Sequence, residues 1–151
     1  MREIKFRGYS TILKSWLYGY PIGVGSQMCI VQENDFEKDG HHVHPISDTP
    51  MWVEKETVGE FTGKLDKNGK EIYESDIVRK VSKISGDVMC IGHVVYDNKK
   101  CIFCIHGNSV KTVDFNEFDT IDNGNCTIVH YFEFEVVGNV FDNPNLLNQE
   151  S

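Results

Sequence analysis

The stretch Asp66-Lys67-Asn68-Gly69 constrains this chain more than any other. Two short apolar and aromatic runs flank it, within residues 59–78, and Asn and Gly tolerate the positive φ that a tight reversal needs. The chain is therefore expected to double back here as a β-hairpin. A two-residue Asn68-Gly69 turn would set Asp66 against Glu71 and Lys67 against Lys70, and like charges directly opposite are unfavourable. A three-residue loop of Lys67, Asn68 and Gly69, with Gly69 in the left-handed bulge position, sets Asp66 against Lys70 instead and is preferred. Gly63, Asp66, Asn68 and Gly69 are the structural residues of this turn.

The 151 residues are 40% apolar and 11% aromatic, enough for one globular domain or two small subdomains with a buried core. No apolar run approaches the ~20 residues of a membrane span, and the opening Met1-Arg2-Glu3-Ile4-Lys5 lacks a signal-peptide core. The cytoplasm is the expected compartment, with no membrane partner. Cys29, Cys90, Cys101, Cys104 and Cys126 are odd in number and scattered, so reduced and mostly buried thiols are expected rather than a disulfide framework. The net charge of −8 sits entirely in residues 112–151, which hold eight acids and no Lys or Arg. That quarter opposes general binding to phosphate backbones.

Residues 3–7 alternate charged and apolar, predicting a strand with Ile4 and Phe6 toward a core and Glu3, Lys5 and Arg7 toward water. Residues 15–20 and 27–32 read as short strands broken by Gly19, Pro21, Gly23 and Gly25. Residues 33–49 are a polar loop or exposed hairpin end. A boundary is placed near residue 55, giving an N-terminal β subdomain over 1–55 and a hairpin with a small barrel over 56–151, or one integrated domain. Residues 76–81, 90–96 and 101–106 form three strands joined by short polar turns, a meander suited to a small curled sheet or SH3-like barrel. Val113 to Phe118 fits a bent strand or a helical turn, Asp122 to Asn125 reads as a turn, and residues 127–140 form the longest β run, interrupted by Gly138. The fold class is all-β with at most one or two short helical turns.

Three segments together resemble the YopX family of small phage and prophage proteins. Met1 to Tyr9 resembles its opening strand. Thr57-Val58-Gly59-Glu60-Phe61-Thr62-Gly63, followed by Asp66 to Glu74 and Asp76-Ile77-Val78, resembles its central signature. Glu135 to Val140, with Asn143-Pro144 and Leu146-Leu147, resembles its close. Glu60 stands in place of the usual Gln, Lys64-Leu65 reverses the usual order, and Ser75 replaces a Gly. If that Gly supplies positive φ, Ser75 is either strained or turns differently. The resemblance implies a mostly β fold containing a small barrel, carriage on a mobile element in a bacterial host, and no assigned activity. It supplies no catalytic residues.

The residues themselves offer three candidate sites. Cys101 and Cys104, followed by His106, have a zinc-like spacing, but positions three apart on a strand face opposite ways and no second ligand pair matches them. His41, His42 and His44 lack a carboxylate or thiol run at ligand spacing. No metal or other cofactor is expected. Lys64, Lys67, Lys70, Arg79, Lys80 and Lys83 place six cations against four acids in residues 64–83. On a small barrel near Phe61 and Tyr73, these cations would suit single-stranded nucleic acid, with Lys64, Lys67, Lys70, Arg79 and Lys80 as its contacts. A solvated hairpin kept soluble by its lysines is the simpler account. No phosphate-binding Gly loop, nucleophile elbow or paired-carboxylate motif occurs, so an enzyme is not expected. The leading expectation is a non-enzymatic module that binds a protein and forms homo-oligomers. Nucleic-acid binding is the alternative, and an acidic decoy formed by residues 112–151 is the third reading.

Overall fold

The computed structural model describes residues 3–32, 36–39, 42–45, 51–107, 113–114 and 132–148. These are organised in two compact units, Met1–Gly63 and Lys64–Ser151. The fold is all-β, with two antiparallel main sheets and only short 3-10 turns besides. No helix among the described residues is long and apolar enough to cross a membrane.

In the first unit, β1 (Phe6–Ser10), β2 (Ser15–Val24) and β3 (Gln27–Val31) form a meander. The strands β4 (Phe36–Asp39) and β5 (His42–Pro45) pair as a separate ribbon. Next come β6 (Trp52–Val53), a 3-10 turn over Lys55–Thr57, and β7 (Gly59–Leu65). The main sheet runs β6-β3-β2-β1-β7. β2 is one continuous strand although glycines and a proline punctuate it, because its first half pairs with β1 and its second half with β3. Gly19 stands at that exchange with φ +155°, and a Cβ there would lie 2.1 Å from the Val31 carbonyl oxygen. Only glycine fits so close an approach.

β1 departs from the expected in-and-out pattern. It begins at Phe6, Ile4 is 57% exposed, and Arg7 is buried at 5%. The Arg7 guanidinium lies 4.6 Å from the Trp16 ring centre, so a cation–aromatic contact holds the charge that alternation alone would send to water. The 3-10 turn is tied to the same strand. Glu54 N–H donates to the Tyr9 carbonyl (2.9 Å) and Tyr9 N–H donates to Thr57 Oγ1 (2.8 Å).

The second unit contains β8 (Glu71–Tyr73), β9 (Asp76–Ser82), β10 (Val88–Asp97), β11 (Ile102–His106), β12 (Val113–Asp114) and β13 (Phe132–Asn139). The meander β9-β10-β11 is present, and the sheet order is β12-β11-β10-β9-β13. Ile72, Val78, Cys90, Val94, Phe103 and Ile105 form its buried core, with Phe134 and Val136 packed against them. Each fully buried aliphatic of this kind contributes about 1.5–3 kcal/mol. The expected barrel does not close. β13 pairs with β9 from Phe132 to Asn139, so the last strand extends the meander at that edge instead of joining β12 to shut it. The register slips between Val136 and Gly138, a bulge where the run was expected to be interrupted. The expected turn at Asp122 to Asn125, the start of the run at 127–131 and Cys126 lie outside the described residues.

β8 and β9 are joined by a tight turn in which Ser75 has φ +66°. Ser75 is thus held in the left-handed region that glycine occupies without cost. Backbone hydrogen bonds fix it from both sides: Ser75 N–H donates to Val94 O (2.9 Å) and Val140 N–H donates to Ser75 O (2.9 Å). Replacing Ser75 with Gly relieves the strain at some entropic cost, so S75G is expected to stabilise the protein by about 0.5–1 kcal/mol. A rise in the urea midpoint checks this, and a fall would contradict a strained Ser75.

Candidate functional site

The reversal that follows β7 closes as a three-residue loop. Asp66 N–H donates to Lys70 O (2.7 Å) and Gly69 N–H donates to Asp66 O (3.0 Å), so Asp66 faces Lys70. Gly69 takes φ +81° and supplies the left-handed residue that this loop needs. The Asp66 side chain is buried inside it. Its Oδ1 accepts from the N–H groups of Asn68 (2.7 Å) and Lys70 (2.9 Å), which satisfies donors that the sharp turn leaves without strand partners.

The same carboxylate reaches β13, seventy residues away. Asp66 Oδ2 accepts from Val136 N–H (3.1 Å), and Lys67 N–H donates to Phe134 O (2.8 Å). Glu133 and Glu135 pair across to Val81 and Arg79 of β9. Alternation then turns the peptide groups of Phe134 and Val136 outward, where an edge strand has no neighbour. The hairpin tip takes the neighbour's place. Burial pushes the Asp66 carboxyl pKa up, but hydrogen bonds from Lys70, Val136 and Asn68 outweigh that and hold it below the ordinary carboxylate value.

The basic residues do not gather on one face. Lys67 Nζ lies 3.2 Å and the Arg79 guanidinium 2.8 Å from the same Glu135 Oε2, so one carboxylate collects both cations. Lys80, next to Arg79 on β9, projects from the opposite face, with its ammonium 4.1 Å from the Phe132 ring centre. Lys64 ends β7, and Lys70 is exposed at the foot of the turn. Gly63, at φ +81°, is the last residue of the first unit.

The thiol and imidazole candidates are dispersed. Cys101 is exposed in a turn at φ +55°, whereas Cys104 is buried at 1%. His106 points away from the core toward His93 on the facing strand, with ring centres 5.8 Å apart. Burial, and then the neighbouring His106 charge, lower the His93 pKa, which favours its neutral form. No group of three or more His, Cys, Asp or Glu side chains gathers among the described residues. His41 lies outside those residues, and His42 and His44 are described only as backbone of β5.

Two further features lie in the first unit. A groove of about 380 Å³ is lined by Thr11, Gln27, Met28, Trp52, Glu54 and Glu56, among others. Along β2, Tyr18, Tyr20, Ile22 and Val24 are 40–53% exposed. They stand at every second position, so one face of the strand carries an apolar row about 20 Å long. The two-residue spacing was visible in the sequence, but Gly19, Pro21 and Gly23 between these residues read as breaks.

A family described as YopX protein matches residues 5–148. Among solved structures, the crystal structure of protein EF1440 from Enterococcus faecalis is similar at a TM-score of 0.53 and 21% identity, over 97% of this chain and 99% of that one. That likeness is one of fold. No curated protein matches the chain.

Asp66 carries two consequences for stability. Replacing it with Ala leaves several backbone donors unsatisfied and is expected to cost about 2–3 kcal/mol, measured by urea unfolding. Because the folded pKa is lowered, the carboxylate's contribution is complete above its unfolded value near 4 and is lost as pH falls through the lower folded one. D66N should therefore flatten the stability-against-pH curve in that acid range. An unchanged curve would contradict the clasp.

Proposed function

The chain belongs to the YopX family, and on that premise we propose that it is a non-enzymatic, phage- or prophage-derived module that binds another macromolecule at its outer surface. The observation that supports this most is the row Tyr18, Tyr20, Ile22 and Val24. Single exposed apolar residues are ordinary, but four in line on a strand with neighbours on both sides make a contiguous apolar surface, of the kind that marks contact sites. Large aromatic side chains also contribute most where partners bind.

Catalysis has less support. Asp66, a buried carboxylate with a well-organised shell of donors, accepts from the backbone N–H groups of Asn68, Lys70 and Val136 and from the Asn68 side chain, which is structural work. The sequence favoured a protein partner and self-association, with nucleic acid on the Lys64 to Lys80 residues as the alternative. Glu135 draws Lys67 and Arg79 into ion pairs and Lys80 lies on the other face of β9, so that alternative has less support than the β2 row.

Cross-linked pull-down from a bacterial lysate that also contains an untagged copy of the chain tests the reading. The wild-type bait should retain a partner, or the untagged copy if the chain self-associates. A Tyr20→Ser, Ile22→Ser double variant should retain several-fold less while keeping its far-UV spectrum. Equal recovery by the two baits, or nothing retained by either, would contradict it.

A further inference from the structure

We propose that the groove between the β1–β2 loop and the 3-10 turn of the first unit takes an arginine side chain, presented on an extended segment of a partner protein. The site goes beyond the reading that rests on the β2 row, since none of Tyr18, Tyr20, Ile22 and Val24 lines it.

Local structure holds the lining in place. Met28 of β3 pairs with Val53 of β6, and Cys29 with Trp52, so the thioether and the indole come from neighbouring paired strands. The chain then enters the 3-10 turn through Glu54, whose N–H donates to Tyr9 O (2.9 Å) and whose carbonyl accepts from Thr57 Oγ1 (2.6 Å). From the β1–β2 loop, Thr11 Oγ1 donates to Glu54 Oε1 (3.1 Å), which orients that carboxylate and leaves Oε2 uncommitted. Glu54 and Glu56 are exposed, while Met28 and Trp52 are half-buried. The Glu56 carboxylate has no hydrogen-bond or ion-pair partner among the described residues, and the Trp52 ring meets no other ring or cation there.

Each lining group narrows the ligand. Two carboxylates against the single ammonium of Lys55 disfavour an anion, and no ion pair joins Lys55 to either of them. A bare metal ion needs a tighter set of donors, and no three His, Cys, Asp or Glu side chains gather among the described residues. An uncharged apolar ligand would strip water from Glu54 and return nothing for it. A cation on an apolar stem satisfies all of these groups, with its stem along Ile12, Met28 and Trp52 and its head at the carboxylates. Arginine fits better than lysine, because a planar and weakly hydrated guanidinium stacks on an indole and still donates in a fork to a carboxylate. A groove of about 380 Å³ is small for a ligand site and suits a side chain rather than a whole helix or strand.

Nitrogen–proton correlation NMR of the full chain, titrated at low salt with the peptide acetyl-Gly-Gly-Arg-Gly-Gly-amide, tests the proposal. The Trp52 indole N–H, assigned with a Trp16→Phe variant, should shift saturably together with the amides of Met28 and Glu56. Peptides with lysine or with uncharged citrulline in place of arginine should bind more weakly, by about fivefold or more. Glu54→Gln and Glu56→Gln, isosteric changes at exposed positions, should each weaken the arginine peptide about threefold, and together they should abolish saturation.

No saturable shift at Trp52 would overturn the proposal, as would equal binding of the lysine or citrulline peptide, or undiminished binding by the double Gln variant. Shifts centred on Glu133 and Glu135 of β13 would mark attraction to net charge alone and would also overturn it. So would a Trp52 shift produced by spermidine that the arginine peptide does not reproduce. None of these results bears on retention that depends on Tyr20 and Ile22, so the two readings fail separately.

Discussion

In the second unit a single buried carboxylate supplies what a missing strand would. β13 lies at the edge of its sheet, and the outward peptide groups of Phe134 and Val136 would otherwise face water or invite another chain. Asp66 Oδ2 and Lys67 N–H satisfy them from the tip of a hairpin, while Asp66 Oδ1 organises the tip itself. Turn geometry and sheet edge are thereby coupled through one side chain. A change that loosens either is felt by both.

The same coupling arranges the charges. Because Lys67 is drawn down beside β13, its ammonium meets Glu135, and Arg79 reaches the same oxygen from β9. Cations that look available in the linear sequence are engaged within the unit. Half-exposed ion pairs of this kind add little stability, on the order of 0–1 kcal/mol, so their consequence here is to reduce the positive field of the face.

What the sequence made legible follows from how local the governing physics is. The hairpin loop, its three-residue length and the Asp66–Lys70 opposition all arise within five residues, where turn chemistry and like-charge repulsion suffice. The meander was equally legible, since period-two runs and polar turns alternate along 76–106. The role of Asp66 toward Val136 was not, because nothing local marks a contact seventy residues distant. Barrel closure failed for a related reason: whether β13 extends the sheet beside β9 or seals it depends on strand pairing that composition does not encode. Arg7 and the β2 row were misjudged because a stacking ring and a change of strand partner override the simple meanings of charge and of glycine.

Native-state hydrogen exchange at the amides of Lys67, Lys70 and Val136 tests the coupling most directly. If the Asp66 clasp is integral to the second unit, these protons exchange with the slowest group, alongside those of core residues Val78 and Val94, although two of them belong to a surface turn. Rapid exchange, matching the exposed turn at Lys99 and Lys100, would show that the hairpin tip opens independently and that β13 does not depend on it.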